Sequence, residues 1–155
     1  MEFGGRYHFA ADRRAVWAAL NDAAVLKAVI PGCERLEWTS PTTLALKVRV
    51  AFGPVHPAFS GELSLSDVYP AERYTLTGRG KGMVGFAHAM ADIGLSDAGD
   101  GGTVLGFSAD GHADGGIMRL GRALVGSSAQ HIIDGFFEAI GAEMGTIVTA
   151  LPRQI

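Results

Sequence analysis

A chain of 155 residues that is 48% apolar and only 19% charged has enough material for one core and lies far from the composition of disorder. Its net charge of -3, with Lys and Arg scattered singly, supplies no basic stripe and argues against a nucleic-acid partner. Cys33, the sole cysteine, excludes an internal disulfide and a multi-thiolate metal site, and fits a reducing compartment, with the cytoplasm as the default.

Met1 to Arg6 lacks the basic start and continuous apolar run of a secretory signal. No window carries the roughly eighteen uncharged apolar residues of a membrane span. Phe3 to Ala10 reads as a first strand, after which Asp12 offers an N-cap to a short helix bearing Val16, Ala19 and Leu20. Asn21-Asp22 breaks that helix and caps a second, where Val25, Leu26, Val29 and Ile30 make one stripe before Pro31-Gly32 stops it.

From Cys33 to Ala113 the apolar period becomes two, punctuated at Pro41, Gly53-Pro54, Tyr69-Pro70, Gly80 to Gly82 and Asp97 to Gly102. Six strands are expected there, about seven in all. Loops this short leave no room for helical crossovers, so the sheet should be an antiparallel meander. After Asp114 the chain turns helical: Ile117, Leu120, Leu124, Ile132, Phe136, Ile140, Met144, Ile147 and Leu151 keep steps of three, four or eight up to Pro152. Such an order of elements predicts one α+β domain over residues 1–155, its curved sheet wrapped around a long C-terminal helix. Gly121, Gly126, Gly135, Gly141 and Gly145 each weaken that helix by about 1 kcal/mol relative to Ala.

Several strings resemble catalytic or ligand motifs. Gly80 to Gly85 matches G-x-G-x-x-G, yet no polar-faced helix follows as a dinucleotide loop requires, and a sharply bent hairpin explains it better. Ser127, His131 and Asp134 share one helix face but lack an oxyanion donor, and a solvated helix edge accounts for them. His88 and His112 can meet on neighbouring strands, but two histidines without a third ligand define no metal site, and an outer face or pocket rim is the simpler place for them. Cys33 reads as a small buried residue, and Arg119 and Arg122 as solvated cations, or as contacts for lipid headgroups or an acidic partner. No catalytic residue, metal or cofactor is assigned. A greasy strand face opposite a glycine-weakened helix leaves gaps suited to a lipophilic guest; a fully packed core is the alternative.

The chain also resembles a known family. Phe3-x-Gly5, Val16-Trp17, Leu20-x-Asp22, Val25-Leu26, Ile30-Pro31-Gly32-Cys33, Gly53-Pro54-Val55, Phe59-x-Gly61, Leu65-x-Asp67, Pro70, the glycines from Gly78 to Gly85, Leu95, Gly102-Thr103, Gly115-Gly116 and Leu120-Gly121 are similar to the CoxG-like proteins of carbon monoxide dehydrogenase systems, which belong to the START/Bet v1-like superfamily. The resemblance implies the helix-grip fold. It further implies an accessory protein that links a molybdenum-containing carbon monoxide dehydrogenase-type oxidoreductase to the membrane, with a pocket for a quinone or lipid-like molecule. Longer members carry a membrane-anchoring C-terminal extension, whereas this chain stops at Ile155, so ligand binding at a peripheral place on the membrane's inner face is expected rather than autonomous anchoring.

On this reading Leu46, Val48, Leu63, Leu65, Leu76, Phe107, Leu120, Leu124 and Phe136 line the cavity, and Pro31-Gly32 shapes its mouth. A small helix-grip enzyme, a cyclase, dehydratase or hydrolase acting on a hydrophobic substrate, is the competing expectation. It would require His88, His112 and Asp110 inside the pocket. A protein-interaction module with a filled core is a third.

Overall fold

The computed structural model describes residues 2–30, 32–49, 58–82, 85–113 and 129–152. Strand β1 (Glu2–Phe9) gives way to α1 (Arg13–Leu20) at Asp12, whose carboxylate accepts the Ala15 amide at 2.8 Å and so satisfies a donor that the first helical turn leaves unpaired. Asp22 repeats the device for α2 (Ala23–Val29), accepting from Ala24 at 2.9 Å. Both expected caps therefore operate. Pro31, expected to stop α2, lies outside the described residues; the helix ends where Ile30 turns extended.

Six strands follow, as the period-two pattern requires: β2 (Cys33–Ser40), β3 (Thr43–Arg49), β4 (Ala58–Tyr69), β5 (Arg73–Gly82), β6 (Gly85–Asp97) and β7 (Thr103–Ala113). Each pairs antiparallel with the next, and β7 pairs with β1. Of the G-x-G-x-x-G string, Gly80 to Gly82 close β5 and Gly85 opens β6 opposite Gly82, so its described residues are strand; Met83 and Val84 lie outside the described residues. A phosphate-cradling helix start is thereby ruled out for it.

The last helix, α3 (Ala129–Met144), departs from the sequence reading at its end. Its expected start at Asp114, and with it Ile117, Leu120 and Leu124, lies outside the described residues. Gly145 adopts φ +76°, the Gly145 amide donates to the Ala142 carbonyl at 3.1 Å, and the Thr146 amide donates to the Gly141 carbonyl at 2.8 Å. These are the two bonds of a Schellman stop, which requires a residue tolerant of the left-handed region. Ile147 and Leu151 are therefore not helical. Val148–Leu151 forms an eighth strand, β8, added antiparallel to β1, and the sheet order is β2-β3-β4-β5-β6-β7-β1-β8. A Cβ on Gly141 would collide with the Val148 side chain, so the helical glycine lets β8 close on α3.

The sheet curls around α3, the helix-grip arrangement, and the core divides into two clusters. Tyr7, Phe9, Val16, Leu20, Ile93, Leu95, Leu105, Phe137 and Ile140 make the larger one, in which Phe137 lies 4.5 Å from the Tyr7 ring and 5.7 Å from that of Phe107. Burying a side chain such as Phe137 contributes roughly 1.5–3 kcal/mol. Leu26, Leu36 and Leu44 make the smaller, at the α2 end. Phe136 packs against both.

Candidate functional site

The inner face of the sheet changes character along its strands. Tyr7, Phe9, Tyr74, Ile93, Leu95 and Leu105 are buried there under the helices. Toward the β5–β6 turn the same face holds much smaller residues. One register row runs Leu46, Gly61, Gly80, Ala87, and the next runs Leu63, Gly78, Ala89, Gly111. Strand alternation puts these on the face shared by Ile93 and Leu95. The result is a stretch of the inner face with Gly and Ala on its floor and leucines beside it, which is the candidate basin.

Burial follows that division. Leu46, Val48, Leu63, Leu65, Leu76, Phe107 and Phe136 are each only half-buried, and Ala89 is exposed although it alternates with the buried Ala91 and Ile93. Seven of the nine expected lining residues thus lie on the face or helix expected of them; Leu120 and Leu124 lie outside the described residues. Leu46 and Leu63 pack with the smaller cluster, while Leu65, Leu76 and Phe107 pack with the larger. Phe136 stands between, its ring 5.2 Å from that of Phe137.

The floor residues escape a reading that seeks only bulky side chains as lining. Their signal is a period-two run of small residues: Gly78, Gly80 and Gly82, then Ala87, Ala89 and Ala91, then Ala109 and Gly111. Gly61 has a second reason to be glycine, since a Cβ there would run into the Arg79 carbonyl oxygen of the neighbouring strand. Only a residue without a side chain permits that approach. Gly32, the expected mouth residue, is exposed with φ +71°, and a Cβ on it would strike the Arg49 carbonyl oxygen. It fixes the α2–β2 turn against the end of β3, with the Arg49 amide donating to the Gly32 carbonyl at 2.8 Å.

Among the described residues, Tyr7 and Asp134 bring a polar contact into this interior. Tyr7, 1% exposed, donates from its hydroxyl to Asp134 Oδ1 at 2.7 Å. Asp134 is half-buried and bonded inward, so the solvated helix edge expected for it is corrected. Ser127 lies outside the described residues. Tyr74, also on the inner face, is held neutral because burial pushes its phenol well above the ordinary value.

The candidates of the competing enzyme reading that the structure describes are placed elsewhere. His88 and Asp110 are exposed on the outer face, away from the basin, and the backbone register sets His88 opposite His112. They do not serve as an acid/base pair inside the pocket. Among the described residues no group of three His, Cys, Asp or Glu side chains is placed to hold a metal ion. No helix of the described residues is long and apolar enough to cross a membrane.

Solved structures share this architecture. A conserved protein from Geobacillus kaustophilus superposes with a TM-score of 0.83 at 23% identity, covering 96% of this chain and 99% of that one. A protein of Chromobacterium violaceum gives 0.69 at 19% identity over 92% and 96%, and one of Rhizobium loti 0.70 at 16% over 92% and 96%. These similarities support the fold alone. No curated protein sequence matches the chain. The sequence profile of CoxG, a carbon monoxide dehydrogenase subunit, matches residues 5–145, which spans β1 to the end of α3, and the chain belongs to the CoxG family of carbon monoxide dehydrogenase subunits.

Proposed function

We propose that this chain is a non-enzymatic accessory protein that holds a hydrophobic molecule, a quinone or lipid, in the basin between the inner sheet face and α3. Its family membership supports service to a carbon monoxide dehydrogenase-type oxidoreductase. The observation that carries the ligand reading is the pair of adjacent rows, Gly61-Gly80-Ala87 and Gly78-Ala89-Gly111, inside a wall of half-buried leucines. A core meant only for packing would fill such positions with larger side chains, because proteins pack their interiors to near-crystalline density. Apolar space that remains is suited to an apolar guest, and a few polar groups fix the guest's orientation. Tyr7 and Asp134 are the polar groups that fit this task.

In this reading Leu46, Val48, Leu63, Leu65, Leu76, Phe107 and Phe136 contact the guest, with Leu120 and Leu124 completing the wall and Pro31-Gly32 at the mouth. The protein works in the cytoplasm at the inner face of the membrane, receiving the guest there and presenting it to its oxidoreductase. Two measurements test this. Organic extraction of gently purified protein, analysed by mass spectrometry, is expected to release a stoichiometric lipid or isoprenoid quinone. Native mass spectrometry with an added short-chain quinone is expected to show a one-to-one adduct. Absence of both would overturn the ligand assignment, and failure to co-purify with a molybdenum hydroxylase from the source cells would overturn the partner.

A further inference from the structure

The outer face of the same sheet carries a second, separate cleft. It has a volume of about 920 Å³ and crosses β1, β7, β6 and β5, with Tyr69 of β4 at one end. Its central row is Arg6, Gly106, Gly94, Arg73 in register, so two glycines form a floor between two arginines. Three strand spacings set the arginine backbones about 14 Å apart.

Neither glycine is required by the packing. A Cβ on Gly94 would meet nothing within 4 Å, and one on Gly106 only the Gly94 carbonyl oxygen at 4.0 Å. Glycine within a strand weakens it and marks a bulge, a tight bend or a place where a ligand or another backbone comes close; the regular register and the empty space at Gly94 leave the ligand. The walls are polar and asymmetric. At the β1 end, the side chain of half-buried Arg6 makes no ion pair or hydrogen bond with any described residue, and no carboxylate among the cleft's lining residues stands on β1 or β7. At the other end the Arg73 guanidinium stacks over the Tyr69 ring at 4.5 Å, and the acids Asp92 and Asp67 line the cleft there. Asp92 accepts the Thr75 hydroxyl at 2.8 Å and keeps a second oxygen as an acceptor.

We infer that this cleft binds a small planar amphoteric molecule: a ring lying flat on Gly94 and Gly106, its carboxylate or phosphate on Arg6, and an amino or hydroxyl donor directed to Asp92. Arginine presents a rigid fork matched to such anions, and a carboxylate is an acceptor for the opposite end. The acids beside Arg73 disfavour a purely anionic guest, and the bare floor admits a ring where side chains would exclude it. This site is independent of the interior basin, and either can fail without the other.

The test uses the full chain and observes the amides of Gly94 and Gly106 in two-dimensional NMR spectra. 4-Aminobenzoate and 4-aminophenyl phosphate are the probes for the two anion types, with benzoate lacking the donor and aniline lacking the acid. The expected result is saturable movement of both glycine signals with at least one of the two amino-bearing probes, and at least about tenfold weaker binding of benzoate and aniline. Arg6→Gln should weaken the probe about tenfold or more. Gly94→Val, for which the fold has room, should leave thermal stability within a few degrees and abolish binding. The inference is overturned if neither probe moves these signals at millimolar concentration, if benzoate and aniline bind as well, or if folded Gly94→Val or Arg6→Gln binds like the parent.

Discussion

The hydroxyl of Tyr7 on β1 and the carboxylate of Asp134 on α3, 127 residues apart in sequence, are joined by a 2.7 Å hydrogen bond beneath the sheet. It ties the sheet to the helix it grips. Tyr7→Phe removes the donor while leaving the carboxylate half-buried, which should lower stability by about 1–3 kcal/mol in urea denaturation. In a double-mutant cycle with Asp134→Asn the two effects should fall short of adding, because both act on one contact. Full additivity would show that the bond contributes nothing on its own.

Ala89 tests the basin. It is exposed on the inner face between Gly78 and Gly111, so Ala89→Leu should change stability by less than about 1 kcal/mol while occupying the space that the proposed function assigns to a guest. If the proposed function holds, the expected outcome is an unaltered melting profile and loss of whatever lipid or quinone the parent protein retains. Retention of that molecule at parental stoichiometry would place the guest elsewhere.

Gly145 governs where α3 stops. With φ at +76°, Gly145→Val forces a β-branched residue into the left-handed region and should destabilise the protein by about 1–2 kcal/mol. Gly135→Ala, in the same helix with nothing within 4 Å of its added Cβ, should instead stabilise by a few tenths to about 1 kcal/mol. Thermal denaturation of the two variants separates them by sign.

Acid sensitivity should come from two surface carboxylates. The Arg49 guanidinium, 2.6 Å away, and the nearby Lys47 hold Glu34 below its ordinary value of 4.5. The Gly102 amide, followed by the His8 side chain, holds Asp100 below 3.8. Both values are depressed on folding, so their stabilisation is present above the unfolded values and disappears as pH falls through the folded ones. Urea midpoints should therefore be insensitive to these groups near neutrality and decline below about pH 4. In the Glu34→Gln, Asp100→Asn double variant that acid decline should be shallower; an identical slope would remove both residues from the explanation.

Much of the fold was written in local chemistry. Asp12 and Asp22 announced the first two helices because capping is a contact between near neighbours, and the strand count from Cys33 to Ala113 came from turn residues and alternation. The end of α3 was misjudged because Ile147 and Leu151 suit a helical step of four and a strand step of two equally well, and only the conformation of Gly145 separates them. Walls of the basin were legible as leucines in alternation. Its floor needed strand register to show that Gly61, Gly80 and Ala87 are side by side. The bond between Tyr7 and Asp134 and the alignment of Gly94 with Gly106 join distant segments, and no short window of sequence contains either.

The four residues of β8 cover β1 only from Arg6 to Phe9. At the far side of the sheet β2 ends the ladder with charged Glu34, Arg35 and Glu37 and with register shifts at both of its ends, features that discourage another chain from adding to it. The β1 side has less protection of its own, since from Gly4 to Phe9 it reads Gly-Gly-Arg-Tyr-His-Phe, with Arg6 its one formal charge. A chain cut after Thr146 would present the backbone groups of Arg6 to Phe9 as an open template. Copies would then be able to zip together strand to strand, so this short segment guards solubility as well as fastening the helix.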